Sequence, residues 1–188
     1  PLPAQANPYA DIFFLHHSTG RNLVEDGLMR EWFAQYDLDH GTRVDFWDHD
    51  YPYIGLRDPE GEMLGYYYGN YIGNTDPIGL HLLWTLQNAS QDSLLLNHDV
   101  IAFKSCFPAS AISSDAMLQQ YKTWYLEIRD TLDQHPEKVF VVMGTAPLHR
   151  NATDTDDANR ARAFANWLSS AEYLAGHPNI RCFDIFDV

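Results

Sequence analysis

The sequence predicts an α/β domain: a five-stranded parallel sheet with helices packed on both faces. Three observations carry that expectation. Five short apolar runs recur along the chain, segments with helical apolar spacing separate them, and the runs break into polar turns. Strands that alternate with helices in this way build βαβ units, whose parallel sheet is covered on both sides. At 188 residues the chain fits one domain with its own core, and it shows no internal repeat.

The first strand is Asp11-Ile12-Phe13-Phe14-Leu15, which breaks into His16-His17-Ser18-Thr19-Gly20. Leu23, Val24, Leu28, Met29, Trp32, Phe33 and Tyr36 follow at three- and four-residue spacing and predict one helix with a buried face. The stretch from Asp37 to Gly41 ends it. Alternation from Thr42 to Asp48 predicts the second strand. From Tyr51 to about Asp76 the chain is rich in Gly, Pro and Tyr, including Tyr66-Tyr67-Tyr68-Gly69-Asn70-Tyr71-Ile72-Gly73-Asn74. A loop of that length is usually functional. It reads either as a surface excursion packing its own aromatics or as a substrate-binding wall.

Pro77 suits the first position of a short helix carrying Leu80, Leu83, Trp84 and Leu86. The third strand, His98 to Phe103, breaks into Lys104-Ser105-Cys106-Phe107-Pro108-Ala109-Ser110. Met117, Tyr121, Trp124, Ile128 and Leu132 mark an amphipathic helix stopped by His135-Pro136. The fourth strand, Lys138 to Met143, leads into Gly144-Thr145-Ala146-Pro147-Leu148-His149-Arg150. A last helix from about Asp156 carries Ala161, Phe164, Leu168 and Ala171, and the fifth strand runs from Ile180 to Phe186.

Charge narrows the partners. A formal net charge of -14 opposes binding to nucleic acid, which rests on Lys and Arg neutralising phosphates, and it opposes an anionic membrane surface for the same reason. No apolar run approaches the ~20 residues that span a bilayer. Cys106 and Cys182 lack metal-finger or CxxC spacing and read as unpaired thiols. Asp45, Asp48, His49 and Asp50 read as a solvated acidic strand end rather than a metal site, and His16 and His17, being adjacent, would point to opposite faces of a strand. No cofactor is expected. The opening Pro1-Leu2-Pro3-Ala4-Gln5-Ala6-Asn7-Pro8 reads as the mature start of a secreted or periplasmic protein, or as a trimmed chain that belongs in the cytoplasm.

The turns carry the chemistry. In open parallel sheets ligands bind beyond the carboxyl ends of the strands, where strand order reverses. For the common flavodoxin-like order 2-1-3-4-5 that point lies between strands one and three. There His17-Ser18-Thr19-Gly20 meets Lys104-Ser105-Cys106-Phe107, with His149-Arg150 on the same rim. Ser18 can be a helix N-cap, its hydroxyl accepting from the first turn. It can equally be a nucleophile, beside unpaired helix-start amides that stabilise an oxyanion and beside a small Gly20 that lets a substrate approach.

A serine directly after strand one, on this order of elements, resembles the SGNH/GDSL hydrolases, in a divergent branch with His-His-Ser-Thr-Gly where Gly-Asp-Ser is usual. The resemblance spans nearly the whole chain in element order, and Ser18 is its strict match. It implies an esterase with Ser18 as nucleophile, a second oxyanion donor at Gly73, next to Asn74, with Gly69 behind it, and Ser105 or Lys104 in place of the family's asparagine. The family's Asp-x-x-His motif follows strand five, so the resemblance places the base beyond Val188; His149 and His17 are the in-chain alternatives, since a serine nucleophile needs an adjacent base.

Arg21, Lys104 and Arg150 fall at strand ends and Arg57 in the aromatic loop, which would focus positive potential on an anionic substrate. The tyrosines offer faces for stacking on sugar rings. The expected activity is cleavage of an ester, such as an O-acetyl, on a carbohydrate or other polar substrate. Two rivals stand beside it: a glycan lyase with His17 or His149 as base and Lys104 or Arg21 neutralising a uronate, and a non-catalytic glycan-binding module.

Overall fold

The computed structural model describes residues 9–69 and 73–187. The opening stretch from Pro1 to Pro8, the Asn70-Tyr71-Ile72 part of the tyrosine-rich run, and Val188 lie outside the described residues. The elements, in chain order, are β1 (Asp11–Leu15), α1 (Thr19–Glu25), α2 (Met29–His40), β2 (Asp45–His49), β3 (Leu56–Arg57), α3 (Pro77–Thr85), α4 (Ala89–Asn97), β4 (Val100–Lys104), α5 (Asp115–Leu132), β5 (Val139–Met143), α6 (Thr155–Leu168), α7 (Ala171–Leu174) and β6 (Ile180–Phe183).

They form one six-stranded, mostly parallel sheet in the order β3-β2-β1-β4-β5-β6. The five parallel strands stand in the 2-1-3-4-5 order expected, and the sixth, β3, pairs antiparallel on the edge of β2. β1 is central: Phe13 lies opposite Trp47 of β2 on one side and Ile101 of β4 on the other. Strand order therefore reverses between β1 and β4, and the His16-His17-Ser18 and Lys104-Ser105-Cys106 turns emerge side by side.

Strand alternation divides the core. Phe13, Leu15, Ile101, Phe103, Phe140 and Val142 face α3, α5 and α6 and pack on Leu83, Trp84, Tyr125, Ile128 and Phe164 in the larger cluster. Phe14, Phe46 and Met143 face the other way, toward Val24 of α1. Burying each large apolar side chain contributes roughly 1.5–3 kcal/mol, so the α3, α5 and α6 face supplies most of the stability. α5 and α6 are the clearest amphipathic helices, with caps that fix their starts: Ser114 accepts from the Met117 amide (3.1 Å) and Asp154 from the Asp157 amide (2.8 Å).

Several expectations need correction. The single helix after β1 is two, because Leu28 sits at φ 53° and a Cβ at Gly27 would meet the Leu23 carbonyl oxygen at 2.4 Å. Its predicted buried face is largely surface: Trp32 is 61% exposed and stacks on Tyr36. Leu86 is the C-cap of α3 and exposed rather than internal. The tyrosine-rich excursion is anchored, since β3 pairs with β2 and Tyr68 is buried in the core against Phe13. α4, capped by Asn88 accepting from the Gln91 amide (2.9 Å), is a helix the apolar spacing does not mark. Ala171, expected on the inner face of the last helix, instead opens the separate short α7 and is exposed, and the fifth strand ends at Phe183 rather than Phe186.

Candidate active site

Behind the site lies a buried ionic network at the carboxyl end of β2. Asp48, His49 and Asp50 are each fully buried, so this is not a solvated acidic strand end. His16 Nε2 donates to Asp48 (2.8 Å), Arg57 grips the same carboxylate through Nε (3.0 and 3.1 Å) and an Nη (2.6 Å), and Arg30 adds a second guanidinium. Burial pushes the Asp48 carboxyl up, but the hydrogen bonds from His16 and Arg57 outweigh it and hold its pKa well below the usual range. Arg57 also pairs with Glu25 of α1 (2.9 Å). It thus ties α1, β2 and β3 together and does not face a substrate. His49 accepts from the Tyr68 amide (2.9 Å), which fixes the tyrosine-rich excursion.

Ser18 stands in front of this network. It is exposed, and its backbone lies at φ 47°, ψ −112°, a region that L-residues with a Cβ occupy only under strain. It takes the N-cap position of α1, yet its side chain accepts no bond from the first turn. Among the described residues its hydroxyl is bonded to the Tyr51 hydroxyl, and neither its amide nor that of Thr19 donates a hydrogen bond. A serine held at a sharp strand-to-helix turn with its oxygen presented outward has the geometry of a nucleophile elbow. The two free amides are of the kind that hold an oxyanion.

His17 is buried behind Ser18. Its Nδ1 pairs with Thr75 Oγ1 (2.9 Å), and its ring stacks on Tyr51 with centroids 4.1 Å apart. Burial pushes its imidazole down to about 4, with Asp50 pulling the other way. His17 is therefore neutral at pH 7 and wedged between two partners. His149 is exposed in the turn after β5, where its Nδ1 accepts from the Asn151 amide (3.3 Å).

A cavity of about 130 Å³ opens beside Ser18 and Thr19, walled by Lys104, Cys106, Phe107, Ser110, Thr145 and Leu148. Among the described residues no histidine lines it. Lys104 is 2% exposed, and its Nζ donates to the Ser105 carbonyl (2.9 Å). Burial pushes its ammonium pKa down, and the Cys106 side chain draws it back up.

The remaining predicted residues divide. The Gly73-Asn74-Thr75 turn reaches the switch point, since the Thr75 carbonyl accepts from the Cys106 amide (2.8 Å), but Thr75 and not Asn74 makes the contact. Asn74 is fully buried and donates to the Tyr68 carbonyl (2.6 Å), so its side chain braces the aromatic segment instead of facing a substrate. Ser105 is fully buried, and its hydroxyl meets no partner among the described residues, turned toward Tyr125 of α5 rather than the cavity. Gly20 serves packing: a Cβ there would sit 2.3 Å from the His16 Cβ, so the glycine lets α1 close onto the strand.

The cationic rim contracts to one member. Arg21 is engaged by Asp50 (2.5 Å) and Tyr53 (3.0 Å). Arg150 is exposed and lines a separate hollow with Thr153 and Asp154. Lys104 alone enters the cavity. Tyr51 and Thr75 escaped sequence reading; Tyr51 lies at the start of the aromatic segment, two residues beyond β2, and that proximity to the rim was the available signal.

Among the described residues no group of three His, Cys, Asp or Glu side chains is placed to hold a metal ion, and no helix is long and apolar enough to cross a membrane. No protein-family model matches the chain, and no curated protein matches it.

Proposed function

We propose that the chain is a serine esterase of SGNH/GDSL type, cleaving an ester such as an O-acetyl on a carbohydrate or other polar substrate. The observation that carries this reading is the strained backbone of Ser18, whose hydroxyl is presented at the switch point and left unused as a cap. Strain of this kind costs about 1–3 kcal/mol and persists where function requires it.

In the proposed reaction Ser18 Oγ attacks the ester carbonyl carbon. The amides of Ser18 and Thr19, with that of Gly73 as a further donor, hold the oxyanion while the alcohol departs and an acyl-enzyme forms. Water then attacks the acyl carbon and frees the acid and Ser18. A serine nucleophile needs an adjacent base, and the resemblance implies a histidine in that role. Among the described residues Ser18 Oγ meets the Tyr51 hydroxyl rather than an imidazole, and no histidine lines the cavity.

Hydrolysis of p-nitrophenyl acetate by the natural protein, lost in Ser18→Ala, is the expected result. Turnover that survives the substitution rules the reading out. Non-catalytic glycan binding is the second reading, favoured by the parallel Tyr51 and Tyr53 rings (5.6 Å apart) with Arg21 over both. Glycan affinity with no ester turnover would select it.

A further inference from the structure

Lys104 is a basic side chain in an unusual position. It is almost fully buried at the carboxyl end of β4, in a chain of formal net charge -14, yet among the described residues no carboxylate pairs with it. An ammonium has three donors, and among the described residues one of them is used, on the Ser105 carbonyl. Burying a charge without a partner is costly. The buried carboxylates of this protein show the contrast, since Asp48 has two arginine partners and Asp50 has Arg21.

The unused donors belong to a side chain that lines the cavity beside Ser18. The space of about 130 Å³ is that of roughly four waters, enough for a carboxylate on a short carbon stem. The wall adds polar groups: the Ser110 hydroxyl, bonded to Thr145 and donating to the Ala146 carbonyl (2.8 Å), and the Cys106 thiol.

We propose that this cavity binds a small carboxylate with Lys104 as its counter-ion, so that the substrate carries a carboxylate within reach of the ester that Ser18 attacks. The second half rests on the esterase reading; the first does not. The carboxylate supplies the missing ion partner and accepts the spare N–H groups, and a neutral group of the same shape does neither. Lys104 is then a specificity-determining residue.

Cys106, in the same wall, is a built-in reporter, and Cys182 lies outside the cavity as an internal reference. Alkylation of Cys106 by iodoacetamide, followed by peptide mass spectrometry at constant ionic strength, is expected to slow at least about fivefold in saturating acetate. Acetamide, its neutral isostere, is expected to leave the rate unchanged, as is either additive for Cys182. Lys104→Met, checked for folding by circular dichroism, should lose the protection; if that variant does not fold, the acetate and acetamide comparison in the unsubstituted protein decides alone. Equal protection by both compounds, or by neither, overturns the proposal. Ser18→Ala separates the two claims: protection kept without any Ser18-dependent turnover supports the carboxylate site and refutes only the esterase, whereas turnover without protection refutes the carboxylate site alone.

Discussion

The hydroxyls of Ser18 and Tyr51 are hydrogen-bonded across the gap between the turns after β1 and β2. The Tyr51 ring is held for that contact between His17 (4.1 Å) and Tyr53 (5.6 Å). Tyr51→Phe keeps the stack and removes the bond. A hydrogen bond of this kind is worth about 0.5–1.5 kcal/mol, so ester turnover is expected to change by roughly two- to tenfold with little change in thermal stability. Tyr51→Ala also removes the ring that packs on His17 and should lower both. Steady-state kinetics alongside thermal melts distinguish the two outcomes; identical effects of both substitutions would show that the hydroxyl has no separate role.

Ser18 itself offers a test of strain. Its φ of 47° with ψ of −112° is open to glycine at little steric cost, although glycine loses more freedom on folding. With about 1–3 kcal/mol of strain to relieve, Ser18→Gly is expected to be net stabilising by about 1 kcal/mol while abolishing turnover. A urea titration reads the first and p-nitrophenyl acetate the second. A destabilised Ser18→Gly would mean that the serine backbone is not strained.

Asp48 tests the buried network. Asp48→Asn leaves Arg57 and Arg30 without their shared carboxylate and weakens the bond that orients His16. Removing one partner of a buried ion cluster costs about 3–5 kcal/mol, a large share of the ~5–15 kcal/mol typical of a domain. The urea midpoint is expected to fall accordingly, and a loss under 1 kcal/mol would place the network among interactions that solvent already screens.

The parallel strands and their order were legible because each is a short apolar run beside a helical segment, as in Val139–Met143 before α6. The break at Leu28 was not, since Leu23, Val24, Met29 and Phe33 keep helical spacing on both sides of a left-handed residue. Ser18 and Lys104 were readable from position alone, because strand ends at a switch point converge wherever the sheet has this order. The role of Asp48 was hidden because an acidic residue at a strand end looks solvated, and Asn74, beside Gly73, was expected to face a substrate. Only the arrival of Arg30, Arg57 and the Tyr68 carbonyl from distant segments satisfies those groups in the interior.

Three buried histidines set the acid stability of the fold. Burial pushes His17, His49 and His98 each down to about 4 from 6.5. Between those values the unfolded chain takes up three protons that the folded protein refuses, so stability falls as pH drops below 6.5 and the loss is complete near 4. The combined slope is roughly 4 kcal/mol per pH unit in the middle of that window. Asp48 works in a different window: its depressed pKa contributes stability fully above about 4, lost only as pH falls further. Acid unfolding is therefore expected between pH 6.5 and 4, before the Asp48 contribution is lost. His98 isolates one proton, because its ring stacks on Phe13 (4.9 Å) away from the Ser18 cavity. His98→Phe keeps an aromatic ring there and should reduce the slope of unfolding free energy against pH by about a third, measured by urea titrations from pH 6.5 to 5. A slope unchanged by that substitution would mean His98 titrates alike in both states.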